Sequence, residues 1–180
     1  MSICVALNDG NGVWIGSDTM AVNCSVKERI GKKWVQCGRF WIGICGQVRA
    51  HNLVEAKASE IGTVATIGGV VETLRDILLA DKWKTEDDVG QPPRFRSEFI
   101  ITDGAKIISV GGGFGAINCN FAAIGAGTEA ALGARSVMAT MTWETENALV
   151  TMLAAAIEVN HNCGGEPWTF FVPKAEPQHE

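Results

Sequence analysis

The chain has 180 residues, of which 47% are hydrophobic and 19% are charged, and its formal net charge is −5. Because a disordered chain combines low hydrophobicity with high net charge, this composition excludes disorder and indicates one folded domain. A nucleic-acid-binding protein needs a clustered basic surface, so the acidic balance argues against a nucleic-acid partner.

Four short strands are predicted in the first 45 residues. Residues 1–7 and 13–17 flank the segment 8–12, whose Asn, Asp and Gly residues tolerate a positive φ, so these two strands form a hairpin. Residues 32–37 and 40–45 form a second pair of strands around a Gly-Arg turn.

Two helices are predicted next. Hydrophobic residues recur mostly every three or four positions over residues 47–61 and 70–83, as on the buried face of a helix. The polar segment 81–93 ends in two prolines and is predicted to be a loop. A hairpin follows, with strands at 98–102 and 106–110 around an Asp-Gly turn.

The last third of the chain is predicted to contain a strand at 120–124, helices at 128–141 and 144–159, and a closing strand at 168–172. Thr142 is the expected N-cap of the helix at 144–159, because its hydroxyl can accept a hydrogen bond from a free backbone N–H group. Acidic residues in the first turn favour the positive end of that helix.

This order of elements predicts the fold class. Hairpins separated by pairs of helices favour antiparallel sheets covered by helices, and not the alternation of a parallel sheet. We therefore expect an α+β protein, a four-layer α/β/β/α sandwich of two antiparallel sheets. The single domain is expected to span residues 1–172, with a frayed tail over 173–180.

The sequence also indicates a cytoplasmic protein. The longest apolar stretch, residues 148–157, is half of the roughly 20 residues that a membrane span needs, and no signal peptide is evident. Without an export signal we expect no disulfide framework, and because the cysteines and histidines lack metal-ligand spacing we expect no metal site. These residues are Cys4, Cys24, Cys37, Cys45, Cys119, Cys163, His51, His161 and His179. No cofactor is expected.

Two glycine-rich segments are candidate nucleotide sites. Residues 111–115 lack the Gly-Lys-Ser/Thr ending of a phosphate-binding loop and are interpreted as a turn. Residues 125–130 follow a strand and open a helix, as a dinucleotide fingerprint does. The preceding elements do not form a βαβ unit, so close packing of strand and helix is the favoured explanation, and dinucleotide binding stays the alternative.

A candidate nucleophile lies at the start of the chain. Removal of Met1 would leave Ser2 with a hydroxyl and a free α-amine. An α-amine titrates at about pH 7.7–8.0, so it is partly neutral in the cell and can act as a base. One N-terminal residue therefore supplies both nucleophile and base.

Two charged residues are expected beside that serine. Strand alternation places Ser2, Cys4 and Ala6 on one face, and the returning strand ends at Asp18, near Ser2. Lys33 shares a face with apolar residues, so it is expected to be partly buried with Asp18 as its partner. A turn carboxylate and a surface lysine are the simpler alternatives.

These residues resemble the N-terminal-nucleophile hydrolases of the proteasome β-subunit and HslV family. The resemblance lies in Ser2, in Val-Trp-Ile-Gly-Ser-Asp at 13–18, in Lys-Lys-Trp-Val-Gln at 32–36 and in Cys-Gly-Gln at 45–47. The opening Met-Ser-Ile-Cys-Val-Ala is similar to the Anbu branch of the same superfamily. Weaker similarity covers residues 124–127 and 160–165, and the implied fold is the same sandwich.

The resemblance implies roles for individual residues. Ser2 matches the catalytic threonine, Asp18 and Lys33 match the family's acid and its pKa-lowering lysine, and Gly46 matches the glycine whose N–H group faces the oxyanion. The implied first specificity pocket is apolar and would take an uncharged side chain. Its residues are Ala21, Gly31, Val35, Ile44 and Val48.

Three positions depart from the family. Ala126 stands where the family has a serine that holds the N-terminal amine, Asn160 replaces an aspartate, and Cys163 replaces a serine. Asn160 can still form hydrogen bonds, whereas the side chain of Ala126 lacks a polar atom.

The implied function is a proteasome-like peptidase acting on peptide or unfolded-protein substrates. It implies a homo-oligomeric ring with enclosed sites, and a separate ATPase unfoldase, because this chain has no Walker motif. A catalytically inactive structural or assembly protein with the same fold is the alternative.

Overall fold

The computed structural model describes residues 2–23, 26–29, 31–81 and 96–174, and over residues 21–23 and 26–29 it describes the backbone alone. Within these ranges the chain forms eleven strands and five helices. The elements are β1 (Ile3–Asn8), β2 (Gly12–Ser17), β3 (Met20–Asn23), β4 (Val26–Arg29), β5 (Trp34–Cys37), β6 (Phe40–Cys45), α1 (Val48–Ala56), α2 (Ala58–Gly62), α3 (Ile67–Ala80), β7 (Glu98–Thr102), β8 (Ile107–Val110), β9 (Ala116–Cys119), β10 (Phe121–Gly125), α4 (Thr128–Met138), α5 (Thr145–Val159) and β11 (Trp168–Pro173).

The strands form two main sheets, and every described pairing is antiparallel. One sheet has the order β10-β1-β2-β11 and the other the order β5-β6-β7-β8-β9, while β3 and β4 form a separate hairpin. In the first sheet Cys4 pairs with Ser17 on β2 and with Ile124 on β10. The N-terminal hairpin predicted from the sequence is therefore confirmed, and β1 is a central strand.

Three apolar clusters define the layers. Helices α1, α2 and α3 pack on the outer face of the five-stranded sheet, and α4 and α5 pack on the outer face of the four-stranded sheet. The third cluster lies between the sheets and includes Cys4, Ala6 and Trp34. Ile3 and Val5 point the other way, into the cluster with α4 and α5, as strand alternation predicts. The predicted four-layer α/β/β/α sandwich is confirmed.

Three strands were not predicted, and their side-chain patterns explain why. β3 and β4 are short, and β4 carries Lys27, Glu28 and Arg29, so no apolar alternation marks it. β9 is the edge strand of its sheet, and most of its side chains are exposed, including Ile117 at 68%. A strand without a buried face leaves little signal in the sequence.

The helix boundaries also differ in places. The helix predicted over 47–61 is two helices, because the chain leaves helical geometry at Lys57 (φ −104°, ψ 9°). α3 begins at Ile67, three residues before its predicted start, since Thr66 caps it by accepting from the Gly69 N–H group at 3.1 Å. Thr142 is not the N-cap of α5; that position is Glu144, and α4 ends at Met138.

The predicted loop at 81–93 lies outside the described residues except for Asp81, and so does the tail at 175–180. Pro173 is the last residue of β11.

Candidate functional site

A cleft of about 690 Å³ opens beside the N-terminal end of β1. One wall is formed by β5 and the residues just before it, a second by the end of β6 and the turn that follows, and a third by one face of α1. The lining residues are Ser2, Gly31, Lys32, Lys33, Trp34, Val35, Gln36, Ile44, Gly46, Gln47, Val48, His51, Asn52, Glu55 and Ala58. Three of the residues predicted to carry chemistry, Ser2, Lys33 and Gly46, therefore share one cleft.

Ser2 immediately precedes β1 and is 8% exposed. Its carbonyl lies so close to Gly125 that a Cβ atom there would be 2.2 Å from the Ser2 oxygen, and Gly125 has a φ of +95°. A Cβ on Gly127 would meet the Ala156 Cβ at 2.7 Å. Protein atoms fill the space beside both glycines, which supports the packing explanation for the segment 125–130 over a dinucleotide site.

Asp18 and Lys33 form an ion pair inside the protein, with exposures of 0% and 3%. Asp18 Oδ1 also accepts from the Ile3 N–H group at 3.0 Å, and Oδ2 accepts from the Gly164 N–H group at 3.1 Å. The carboxylate thus has three donors and links β1 to the segment before β11. It holds the Lys33 ammonium in place beside the chain start.

Ser17, which belongs to the segment 13–18 but was assigned no role from the sequence, contributes to the same arrangement. Its buried hydroxyl accepts from the Lys33 backbone N–H group at 3.3 Å. The Lys33 Nζ atom donates to the Met20 carbonyl as well as to Asp18. Both ends of the lysine are therefore fixed by neighbouring residues of one short segment, 17–20.

Gly46 occupies a backbone position that favours glycine. Its φ is +130°, and an added Cβ would lie 2.3 Å from the Arg96 carbonyl oxygen. The next residue, Gln47, donates its N–H group to the Ser97 hydroxyl at 3.3 Å. The turn after β6 is thus held closely against the start of β7, with Gly46 facing the cleft.

The five residues predicted to form the specificity pocket are placed as follows. Gly31, Val35, Ile44 and Val48 line the cleft. Ala21 lies in β3, and its side chain is outside the described part of the chain.

Sequence reasoning missed a polar group of cleft residues. Gln36 comes from β5, and His51, Asn52 and Glu55 come from α1. Burial lowers the pKa of His51, the neighbouring Glu55 raises it and Lys33 lowers it. The spacing of 48, 51, 52 and 55 places these residues on one helix face, a pattern that the sequence did contain.

The three positions that depart from the family pattern lie close together. Asn160 Nδ2 donates to the Ala126 carbonyl at 2.6 Å, and Asn160 Oδ1 accepts from the Asn162 N–H group at 3.0 Å. The Cys163 N–H group donates to the Asn160 carbonyl at 2.9 Å. Burial raises the pKa of the Cys163 thiol to about 11. Asn160 thus shapes the turn that presents the Gly164 N–H group to Asp18.

Two further observations bound the chemistry. Among the described residues, no group of three or more His, Cys, Asp and Glu side chains could hold a metal ion. In the same part of the chain, no helix is long and apolar enough to cross a membrane.

Solved structures share this architecture over nearly the whole chain. BPH of Thiobacillus denitrificans is 18% identical with a TM-score of 0.79, and the match covers 97% of this chain and 100% of BPH. A structure of that protein in complex with epoxomicin matches at 16% identity, with the same TM-score and coverage. Eukaryotic HslV from Trypanosoma brucei is 14% identical with a TM-score of 0.70, and the match covers 96% of this chain and 99% of HslV.

No protein-family model matches the sequence, and no curated protein matches it. The structural likeness shows the fold. The predicted proteasome-like sandwich is therefore confirmed, and the resemblance to HslV stated from the sequence holds at the level of the fold.

Proposed function

We propose that this protein is an N-terminal-nucleophile hydrolase of the proteasome and HslV type, which cleaves peptide bonds with Ser2 after removal of Met1. The observation that carries the proposal is the shared cleft: Ser2, Lys33 and Gly46 line it, and Asp18 fixes the Lys33 charge. The BPH structure in complex with epoxomicin, on the same fold, supports a peptide-like ligand.

In the first step, the Ser2 Oγ atom attacks the substrate carbonyl. The α-amine of Ser2 accepts the hydroxyl proton, directly or through a water molecule, and later delivers it to the leaving amine. The C–N bond breaks and leaves an ester between Ser2 and the acyl half of the substrate. Water then attacks the ester, with the α-amine again as base, and releases the acid product.

Lys33 favours the ionised form of the nucleophile. A buried ammonium group stabilises a nearby developing negative charge more than it would in water, because the surroundings have a low dielectric constant. Asp18 is a positioning residue in this scheme. It compensates the lysine charge on the side away from the cleft, where the Ile3 and Gly164 N–H groups also donate to it.

Gly46 supplies the oxyanion donor. Its backbone N–H group is assigned to the negatively charged oxygen of the tetrahedral intermediate, a contact typically worth about 3–4 kcal/mol per donor. The chain at Arg96 and Ser97 packs so closely against Gly46 that a Cβ added there would lie 2.3 Å from the Arg96 carbonyl oxygen, which restricts movement of the Gly46 backbone. Preorganisation of this kind is what makes such a donor effective.

The residues around the α-amine of Ser2, the proposed base, differ from the family pattern, and this difference affects the expected rate of hydrolysis. The Ala126 side chain has no polar atom, and the Asn160 amide donates to the Ala126 carbonyl and not to a described group at the chain start. We therefore expect the α-amine to be held less firmly than in the family, with slow turnover as a result.

The proposal includes a homo-oligomeric ring in the cytoplasm that encloses the clefts and receives unfolded substrate from a separate ATPase. Exposed apolar side chains on α4 and α5, and between them, support subunit contacts. They are Leu132, Val137, Met141, Trp143, Val150 and Val159. Light scattering coupled to size-exclusion chromatography checks the ring, since a single subunit would elute near its mass of 19.2 kDa.

Hydrolysis of fluorogenic peptides by matched variants tests the activity. The native protein should release the fluorophore, Ser2→Ala should abolish release, and Ser136→Ala on the exposed face of α4 should leave it unchanged. Equal rates for Ser2→Ala and the native protein would contradict the proposal. No hydrolysis by any form would support the inactive structural protein instead.

A further inference from the structure

The end of the cleft distant from Ser2 is polar. Val48, His51, Asn52 and Glu55 follow one another along the face of α1 that lines the cleft. Because a helix rises 1.5 Å per residue, Glu55 lies about 10 Å beyond Val48 along the helix axis. A ligand side chain entering from the Ser2 end therefore passes apolar residues first and reaches a carboxylate last.

Glu55 carries a negative charge that no described residue neutralises. The cations nearest to it in sequence are engaged elsewhere: Arg49 pairs with Asp81 at 2.5 Å, and Lys57 pairs with Glu60 at 2.9 Å. Glu55 itself has no hydrogen bond or ion pair within the described ranges. Its carboxylate is thus available to a bound ligand.

The two lysines that line the cleft are also engaged. Lys33 is paired with Asp18. The Lys32 ammonium lies over the Trp41 and Trp168 rings, 5.0 and 5.7 Å from their centroids. These aromatic faces attract a cation and hold the Lys32 charge between them.

His51 adds an unused hydrogen-bonding atom next to Glu55. Its Nε2 atom is buried and has no partner among the described residues. An unpaired buried polar atom is unfavourable, so a donor that reached this nitrogen would gain a hydrogen bond that the described residues do not supply. The charged groups that act on His51 are Glu55 and Lys33, and burial, the largest influence, lowers its pKa. A neutral imidazole leaves the Glu55 charge uncompensated.

We propose that this end of the cleft recognises a basic side chain, lysine or arginine, at the residue whose carbonyl Ser2 attacks. The aliphatic part of that side chain would lie along Ile44 and Val48, and its charged head would reach Glu55 and the His51 nitrogen. The inference rests on the proposed peptidase function and replaces the uncharged preference expected from the sequence. It assigns Glu55 as the specificity-determining residue.

Matched substrates and variants test the inference. Two fluorogenic peptides differ only in carrying Arg or Leu before the scissile bond, and kcat/KM is measured for each with native protein, Glu55→Gln and Glu158→Gln. Glu158 is an exposed carboxylate on α5, away from the cleft, and serves as control. The native protein should prefer Arg, Glu55→Gln should lower the Arg-to-Leu ratio about fivefold, and Glu158→Gln should leave it unchanged.

Charge reversal sharpens the result. Glu55→Lys should convert the preference to a Glu-containing peptide, and added salt should weaken the native preference for Arg. A native preference for Leu, or an Arg-to-Leu ratio that Glu55→Gln leaves unchanged, would overturn the inference while the peptidase function stands.

Binding to Ser2→Ala separates recognition from chemistry. Calorimetry measures the affinity of that variant for peptides that end in Arg-amide or Leu-amide. This measurement does not depend on catalysis. Tighter binding of the Arg peptide, lost in the Ser2→Ala, Glu55→Gln double variant, supports the inference even if the native protein hydrolyses nothing. Equal binding of the two peptides would contradict it.

Discussion

The buried Asp18–Lys33 pair gives the most informative perturbation, because it carries both fold stability and proposed chemistry. We consider Asp18→Asn, Lys33→Met and the double variant. Asp18→Asn leaves the Lys33 ammonium buried without a counter-charge, and Lys33→Met leaves the Asp18 carboxylate buried with only two backbone N–H donors. The double variant removes both charges, and the side-chain carbonyl oxygen of the new Asn can still accept a hydrogen bond from one of the two N–H groups.

The magnitudes follow from the burial of the pair, with exposures of 0% and 3%. Breaking a buried ion pair by removing one partner destabilises a protein by about 3–5 kcal/mol, a large share of a total stability of about 5–15 kcal/mol. The double variant should lose only about 1–3 kcal/mol, since one backbone donor remains unsatisfied. The stability lost by the double variant should therefore be much smaller than the sum of the losses in the two single variants.

Urea denaturation measures the free energy of unfolding of the four proteins, and peptide hydrolysis measures activity. We expect the double variant to recover most of its stability but none of its activity, which separates folding from chemistry. Ser2→Ala is the control and should lose activity at unchanged stability. Additive losses of stability would contradict the burial of Asp18 and Lys33 as a pair, and an active double variant would contradict the catalytic role of Lys33.

Three further predictions concern individual positions. Gly46→Ala should lower the midpoint of thermal unfolding and abolish hydrolysis, because the φ of +130° and a backbone oxygen 2.3 Å from the new Cβ add strain of about 1–3 kcal/mol. Gly111→Ala is the control: nothing lies within 4 Å of its Cβ, so it should change neither the midpoint nor the hydrolysis. Burial raises the pKa of the Cys163 thiol to about 11, so this thiol should resist iodoacetamide at pH 7.5 and react once urea unfolds the chain. Peptide mapping measures the modification, and a modified Cys163 in the folded protein would contradict its burial. Leu149 is fully buried on the inner face of α5, so Leu149→Ala should reduce the free energy of unfolding by about 2–5 kcal/mol, whereas Leu132→Ala, at a position 42% exposed, should reduce it by less than about 1 kcal/mol. Similar losses in urea titrations would argue against the assigned core.

The sequence was sufficient for the features that alternation and spacing determine. In β1, residues 3 and 5 lie on one face and residues 4 and 6 on the other, as predicted, and the structure shows that the first face packs on the helices and the second on the other sheet. The same reasoning brought Asp18 and Lys33 together, because a hairpin returns Asp18 to the start of β1 and a lysine in an apolar row needs a counter-charge.

The rest depended on contacts between distant parts of the chain. The Gly164 N–H group that holds Asp18 comes from 146 positions later, and no local pattern indicates such a contact. The polar end of the cleft depends on which face α1 turns toward β5, and that is decided by the packing of α1, α2 and α3 on the sheet. His51 and Glu55 are therefore recognised as cleft residues only in the folded chain.

The proposed catalysis depends on Ser2, with a free α-amine, as the nucleophile. Intact-mass spectrometry of native protein treated with an epoxyketone, followed by peptide mapping, tests it most directly, because this inhibitor class needs both the hydroxyl and the amine. We expect a chain that lacks Met1 and carries one inhibitor on Ser2, and no adduct on Ser2→Ala. Protein that lacks Met1 and remains unlabelled at Ser2 would contradict it.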